Sequence, residues 1–219
     1  MLSNTRHTDM WVSFGLAFVG GYSDAASFVL AKTFTGHVTG NLVLTAIAVA
    51  ADDWRAALEH LSAIVTFLIG ISLSVLIMRS LKAWPSLPIM MGIEVILIVA
   101  ASLALSSGMG HGVAVFVVFL SLALGLQNGA FRRVGGISVH TTYLTGMITS
   151  LISATTERYA SEVTPAGSTD PKIGLLCGIW VAFFLGAGTG AAMALHFKAL
   201  GVIGAALLLT LLILREVQS

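Results

Sequence analysis

The sequence predicts an all-α integral membrane protein. It has six transmembrane helices plus two short helices, discontinuous or re-entrant, in two inverted-topology repeats of a single membrane domain, 1–219. Three observations predict this. First, 57% of the residues are hydrophobic, only 10% are charged, and the mean hydropathy is +0.96; a soluble domain is about 45–50% apolar and about 25% charged. Second, the apolar residues fall in runs of bilayer-spanning length. Third, pieces of the first half recur, in order, in the second.

Other classes drop out on charge and cysteine count. A net charge of +1 is too small a positive field to hold nucleic acid phosphates. One cysteine makes neither an internal disulfide nor a structural zinc site, so helix packing in lipid must hold the fold. No cofactor or metal is expected.

A hydrocarbon core of about 30 Å takes about 20 helical residues at 1.5 Å each. After a polar start, Trp11 to Ala31 is apolar for longer than a signal-peptide core. It is expected to be a retained spanning helix, inserted directly into a bacterial inner membrane. Ala56 to Met78, Leu87 to Ser106, Gly112 to Val134, Ile173 to Phe197 and the rather short Leu200 to Leu214 complete the six crossings. Thr39 to Ala51 and Thr145 to Thr156 have helical composition but are too short to cross. Each follows a Gly/Thr-rich stretch, Lys32 to Val38 and Gly135 to Leu144.

The repeat runs from about 11–106 to about 112–214. Gly21-Tyr-Ser-Asp24-Ala matches Gly125-Leu-Gln-Asn128-Gly at an offset of 104, and Thr39-Gly40 matches Thr145-Gly146 at 106, with Thr35 on Thr141. Phe67-x-x-Gly70 and Lys82 match Phe183-x-x-Gly186 and Lys198 at 116, the extra length fitting the polar loop Glu157 to Lys172. Orientation follows from the positive-inside rule, which counts Lys and Arg near span ends. If all eight segments cross, the basic residues show no bias. If the short two enter and leave on one side, eight basic residues lie inside and three, Lys32, Arg55 and Lys198, outside. Three crossings per repeat then invert the second half and place both termini in the cytoplasm.

Ionisable groups at membrane depth are costly and mark function by default. Asp24 and Glu94 are the two. Asp24 lies in the repeated motif, and its counterpart Asn128, beside Gln127, is a neutral near-isostere. The plainer reading is that Asp24 and Asn128 brace backbone where helices break. Glu94 has no matching acid, and a structural partner such as His60 or Arg55 competes with a transport role. Thr39 and Thr145 are expected as N-caps, with Gly40 and Gly146 allowing close backbone approach. Two such helix ends meeting near the midplane would present free N–H groups to a small anion or polar solute. Protonation of Asp24 would relieve its repulsion of an anion and couple proton to solute movement. A cationic or neutral solute is equally compatible.

His37 and His140 do not coincide in the repeat, which argues against a matched metal pair. Gly186-x-x-x-Gly190 reads as a helix-packing motif. An enzyme is not expected. Gly21-Tyr-Ser23-Asp24 resembles the Gly-x-Ser of an intramembrane serine protease, with His196 as base, but lacks the second glycine and an oxyanion hole. No ATP-binding Gly-rich loop is present.

Gly21-Tyr-Ser-Asp24-Ala-x-x-Phe28, Phe34-x-x-x-x-Thr39-Gly40-Asn41, Gly125-Leu-Gln-Asn128-Gly-x-x-Arg132-Arg133 and Thr141-Thr-Tyr-x-Thr145-Gly146 cover most of the chain. Together they resemble the YoaK family, bacterial inner-membrane proteins of unassigned function sometimes described as permeases. His37 departs from that pattern, standing where a more apolar residue is expected. The resemblance implies a membrane protein and supplies no substrate. The candidate substrate-binding residues are Asp24, Thr39, Gly40, Asn41, Gln127, Asn128, Thr145 and Gly146. The expected function is a secondary transporter or channel for a small polar solute or anion. Its partners are the lipid bilayer, that solute and an optional second copy of the chain. The alternative is a membrane-embedded sensory or scaffold protein.

Overall fold

The computed structural model describes residues 2–80, 86–130, 133–134, 137–138, 148–149, 152–153, 155–156 and 171–218. The fold is helical: α1 (Leu2–Ala31), α2 (Val38–Ala50), α3 (Trp54–Ser80), α4 (Ser86–Ser106), α5 (Gly112–Ala130), α6 (Pro171–Phe197) and α7 (Ile203–Gln218). Among the described residues, five stretches are long and apolar enough to cross a membrane: Met10–Ala31, Trp54–Ser80, Leu87–Ser106, Gly112–Ala130 and the 45-residue Ile173–Val217. α2, at 13 residues, is not. Of the second short segment, the described residues 148–149, 152–153 and 155–156 are helical; Thr141, Thr145, Gly146 and His140 lie outside the described residues.

Two boundaries differ from expectation. The segment from Gly112 is helical over Gly112–Ala130, and Val134, its expected end, lies in a strand. Instead of continuing the helical ladder, β1 (Arg133–Val134) pairs antiparallel with β2 (Ile137–Ser138). The last two expected crossings form one continuous apolar stretch, broken by a 3-10 turn, Lys198–Val202, that begins on a left-handed residue, Lys198 at φ 51°. The turn folds the chain back so closely that a β-carbon on Gly201 would strike the Met193 carbonyl oxygen. Tyr22 on α1 donates its hydroxyl hydrogen bond to the Gly201 carbonyl and fixes the turn.

Bare backbone sets the helix pairing. A side chain at Gly21 would strike the Phe183 carbonyl, and one at Gly186 the Phe18 carbonyl, so α1 and α6 lie parallel in backbone contact. Gly125 meets the Phe67 carbonyl and Gly70 the Leu122 carbonyl, so α5 and α3 do the same. Gly112 lies against the Ala104 carbonyl at the turn between antiparallel α4 and α5. α7 runs back along α1, with Leu212 packed on Gly15, and along α4, where Ser102 donates to the Ala199 carbonyl at 2.8 Å. It follows that α1, α4 and α6 run one way and α3, α5 and α7 the other. Leu16, Ile98, Phe116, Leu120, Ile179 and Leu209 fill the core, while Ile96, Leu195 and Val217 belong to a wide exposed apolar surface. Such a surface suits lipid rather than water.

Candidate functional site

Between α1 and α2 the chain is irregular for six residues, opening on Lys32 in the left-handed region at φ 57°. Irregular backbone inside a membrane protein must find its hydrogen bonds in protein. Side chains from α1 and α2 supply them, and one from α3 holds a side chain of the turn. Ser27 Oγ on α1 donates to the Thr33 carbonyl at 2.7 Å. Asn41 on α2 is fully buried and makes a two-way contact with Phe34: its Oδ1 accepts from the Phe34 N–H at 3.0 Å and its Nδ2 donates to the Phe34 carbonyl at 2.6 Å. His60 Nδ1 on α3 lies 3.0 Å from Thr33 Oγ1.

Asp24 is the centre of this arrangement. Buried at 3% exposure, its Oδ1 accepts from the backbone N–H groups of Thr35 at 2.8 Å and Gly36 at 2.7 Å. Its Oδ2 lies 2.8 Å from His37 Nδ1. The acid on α1 thus closes the turn into α2, with two backbone donors on one oxygen and an imidazole on the other. Phe34 stacks on Phe28 with ring centres 4.5 Å apart, and the His37 ring stands edge-on to Phe183 of α6. The His37 side chain is one-third exposed, so the imidazole is the open side of the pair.

His37 is the residue that sequence reasoning set aside. Its hydrogen bond to Asp24 raises the imidazole above its ordinary value; partial burial opposes this and the Asp24 charge adds to it. A base whose folded value is raised stabilises the fold below its unfolded value and loses that contribution as pH rises through the folded one. The Asp24–His37 contact is therefore firmest in mildly acidic solution and loosens as pH climbs past the raised imidazole value. Following the His37 ring by NMR, we expect its midpoint to fall in Asp24→Asn; a midpoint that does not move would remove the carboxylate as its cause.

The helix-cap expectation needs correction. α2 begins at Val38, with His37 and not Thr39 in the N-cap position, and Thr39 is an exposed residue within the first turn. The reason is that Asp24 holds Thr35 and Gly36, which starts the helix two residues sooner. Gly40 lies under the Phe34 ring, where a β-carbon would come within 3.2 Å of the ring edge. In the second half, Gln127 and Asn128 are buried at the end of α5, and Gln127 Nε2 donates to the Leu16 carbonyl of α1 at 3.0 Å. The partners expected for Glu94 are engaged elsewhere: His60 faces Thr33, and Arg55 donates to Glu59 at 3.3 Å on an exposed surface.

No solved structure matches this chain. It is 27% identical over 142 residues to the UPF0700 transmembrane protein YoaK of Bacillus subtilis (strain 168), a match spanning 63% of each chain. A family profile described as a protein of unknown function, DUF1275, matches residues 12–214. Nearly the whole helical fold, from the first buried turn of α1 to the end of α7, lies inside that match, and the chain belongs to the DUF1275 family of YoaK-like membrane proteins.

Proposed function

We propose that the protein is a secondary transporter or channel for a small polar solute or anion, built from two inverted repeats with six crossings and both termini cytoplasmic in a bacterial inner membrane. The observation that carries this reading is the Asp24–Thr35–Gly36–His37 cluster, a buried acid and an open imidazole at the start of a helix too short to span. Buried polar groups at a broken helix are where transporters of inverted-repeat design hold their solutes.

The repeat has support in the packing. Gly125 follows Gly21 by 104 positions and Leu122 follows Phe18 by the same offset; Phe183 and Gly186 follow Phe67 and Gly70 by 116. The α1–α6 and α3–α5 contacts are thus made by corresponding residues. The alternation of direction along the six long helices, with α2 between antiparallel α1 and α3, agrees with the charge bias.

A second reading has its own observation. Both carboxylate oxygens of Asp24 are satisfied within the protein, which is what bracing alone requires, and a sensory or scaffold protein needs nothing more. Currents on a solid-supported membrane, with purified protein in liposomes and a panel of small anions, cations and polar metabolites, separate the two. Thr39 is exposed, so Thr39→Val with Thr145→Val should leave α2 packed. We expect a wild-type current that the double variant loses, and a pH dependence that Asp24→Asn alters. Wild-type silence in both current and isotope uptake favours the sensory reading.

A further inference from the structure

Glu94 lies two turns into α4 at 1% exposure, and its buried Oε1 has no hydrogen-bond partner among the described residues. It is the one ionisable side chain of α4. Among the described residues, the groups facing it offer no counter-charge. α5 carries no titratable residue. On α7, Arg215 and Glu216 come last, and the pairing of Ser102 with Ala199 sets them about two turns of α4 away. Lys198 is exposed at the other end of that interface. A buried carboxylate oxygen with neither a hydrogen-bond partner nor a counter-charge among the described residues disfavours the ionised form, and such a group takes up a proton instead.

Two further buried groups stand at the same depth. The contact of Gly112 with the Ala104 carbonyl fixes the antiparallel register of α4 and α5, and ten residues in from each end Glu94 falls level with Ser121 to within one residue. The Gln127 contact with Leu16 fixes α5 against α1, and six residues along, Ser121 falls level with Ser23 to within one residue. Ser23 and Ser121 are fully buried and their hydroxyls have no partner among the described residues. Ser23 is the neighbour of Asp24. Glu94, Ser121 and Ser23 thus lie at similar depth on three helices, each with a buried oxygen that has no partner among the described residues.

We propose that Glu94 is the proton-binding site of the protein. Its carboxyl holds a proton while α4, α5 and α7 are packed as here, and gives it to water only when that interface opens. Asp24 is tied by two backbone donors and an imidazole, whereas the buried Glu94 Oε1 has no such partner among the described residues. Proton occupancy stands without the transport reading, whereas its use in coupling rests on that reading.

The test is infrared spectroscopy of the wild-type protein in lipid, with glutamate isotopically labelled at the side-chain carboxyl. We expect, at neutral pH, a neutral-acid carbonyl band that shifts with the glutamate label and with deuterium oxide, and that is absent from Glu94→Gln and retained in Asp24→Asn. A folded wild type with no label-sensitive neutral-acid band overturns the proposal, and so does a band that survives in Glu94→Gln. The wild-type measurement decides even if the glutamine variant does not fold. In liposomes, Glu94→Gln should lose the pH dependence of uptake. A band present in protein that moves no solute keeps the proton site and removes the transport reading.

Discussion

Gly21→Ala should separate α1 from α6, and Gly125→Ala should separate α5 from α3, each with a large loss of stability. In both cases the added methyl meets a carbonyl oxygen of the facing helix, Phe183 or Phe67, and a backbone atom moves only if the helix does. Overpacking typically costs about 1–3 kcal/mol. With helix backbones as the obstacle, we expect about 3 kcal/mol or more, read as a lowered unfolding midpoint in detergent. The two variants should lose similar amounts, because they occupy corresponding places in the two halves. Gly188 on α6 has open space around its α-carbon, so Gly188→Ala serves as the control and should melt at or above wild type. A Gly21→Ala protein as stable as that control would refute the backbone contact.

Asp24→Ala is the second large effect. It leaves the buried N–H groups of Thr35 and Gly36 without an acceptor and His37 without its partner. Breaking a buried charged network by removing one member costs about 3–5 kcal/mol. Asp24→Asn keeps an oxygen for the two N–H groups and loses mainly the contact with the imidazole, so its cost is nearer that of one charge-assisted hydrogen bond, about 1.5–3 kcal/mol. Amide hydrogen exchange distinguishes the two. Thr35 and Gly36 should exchange faster in the alanine variant and stay protected in the asparagine variant. Equal protection in both would mean that the turn is held by Asn41 and Ser27 alone.

The long helices were legible because the bilayer itself writes them: length and apolarity are demanded of every spanning segment, and Trp11–Ala31 or Leu87–Ser106 needs no knowledge of its neighbours. The break near Phe197 was legible for the same reason, since a charged lysine interrupts an apolar run. The site was legible only in part. Asp24 stood out as a charge where none is cheap, but its partners lie 11 to 13 residues on, beyond a left-handed Lys32, and no periodicity links positions across a reversed chain. Thr39 looked like a cap because capping is usually local; here an acid on the preceding helix determines where α2 begins. His37 was passed over because it has no counterpart in the repeat, although the imidazole meets an acid whose own counterpart, Asn128, carries no charge. The partner of Glu94 was misjudged because sequence does not tell which way His60 faces around α3.

The crossed pairing of the halves has a consequence for biosynthesis. Gly21 and the Phe183 carbonyl it meets are 162 positions apart. At a synthesis rate of about 5–20 residues per second, α1 is in the membrane on the order of ten to thirty seconds before α6 is made. During that interval Asp24 is already sheltered, because its partners leave the ribosome directly after it. The bare strip at Gly21 has no such local cover and faces lipid or the insertion machinery until the second half arrives. A chain truncated before α6 therefore retains the closed α1–α2 turn but lacks the surface against which α1 is shaped, and is a natural substrate for membrane quality control.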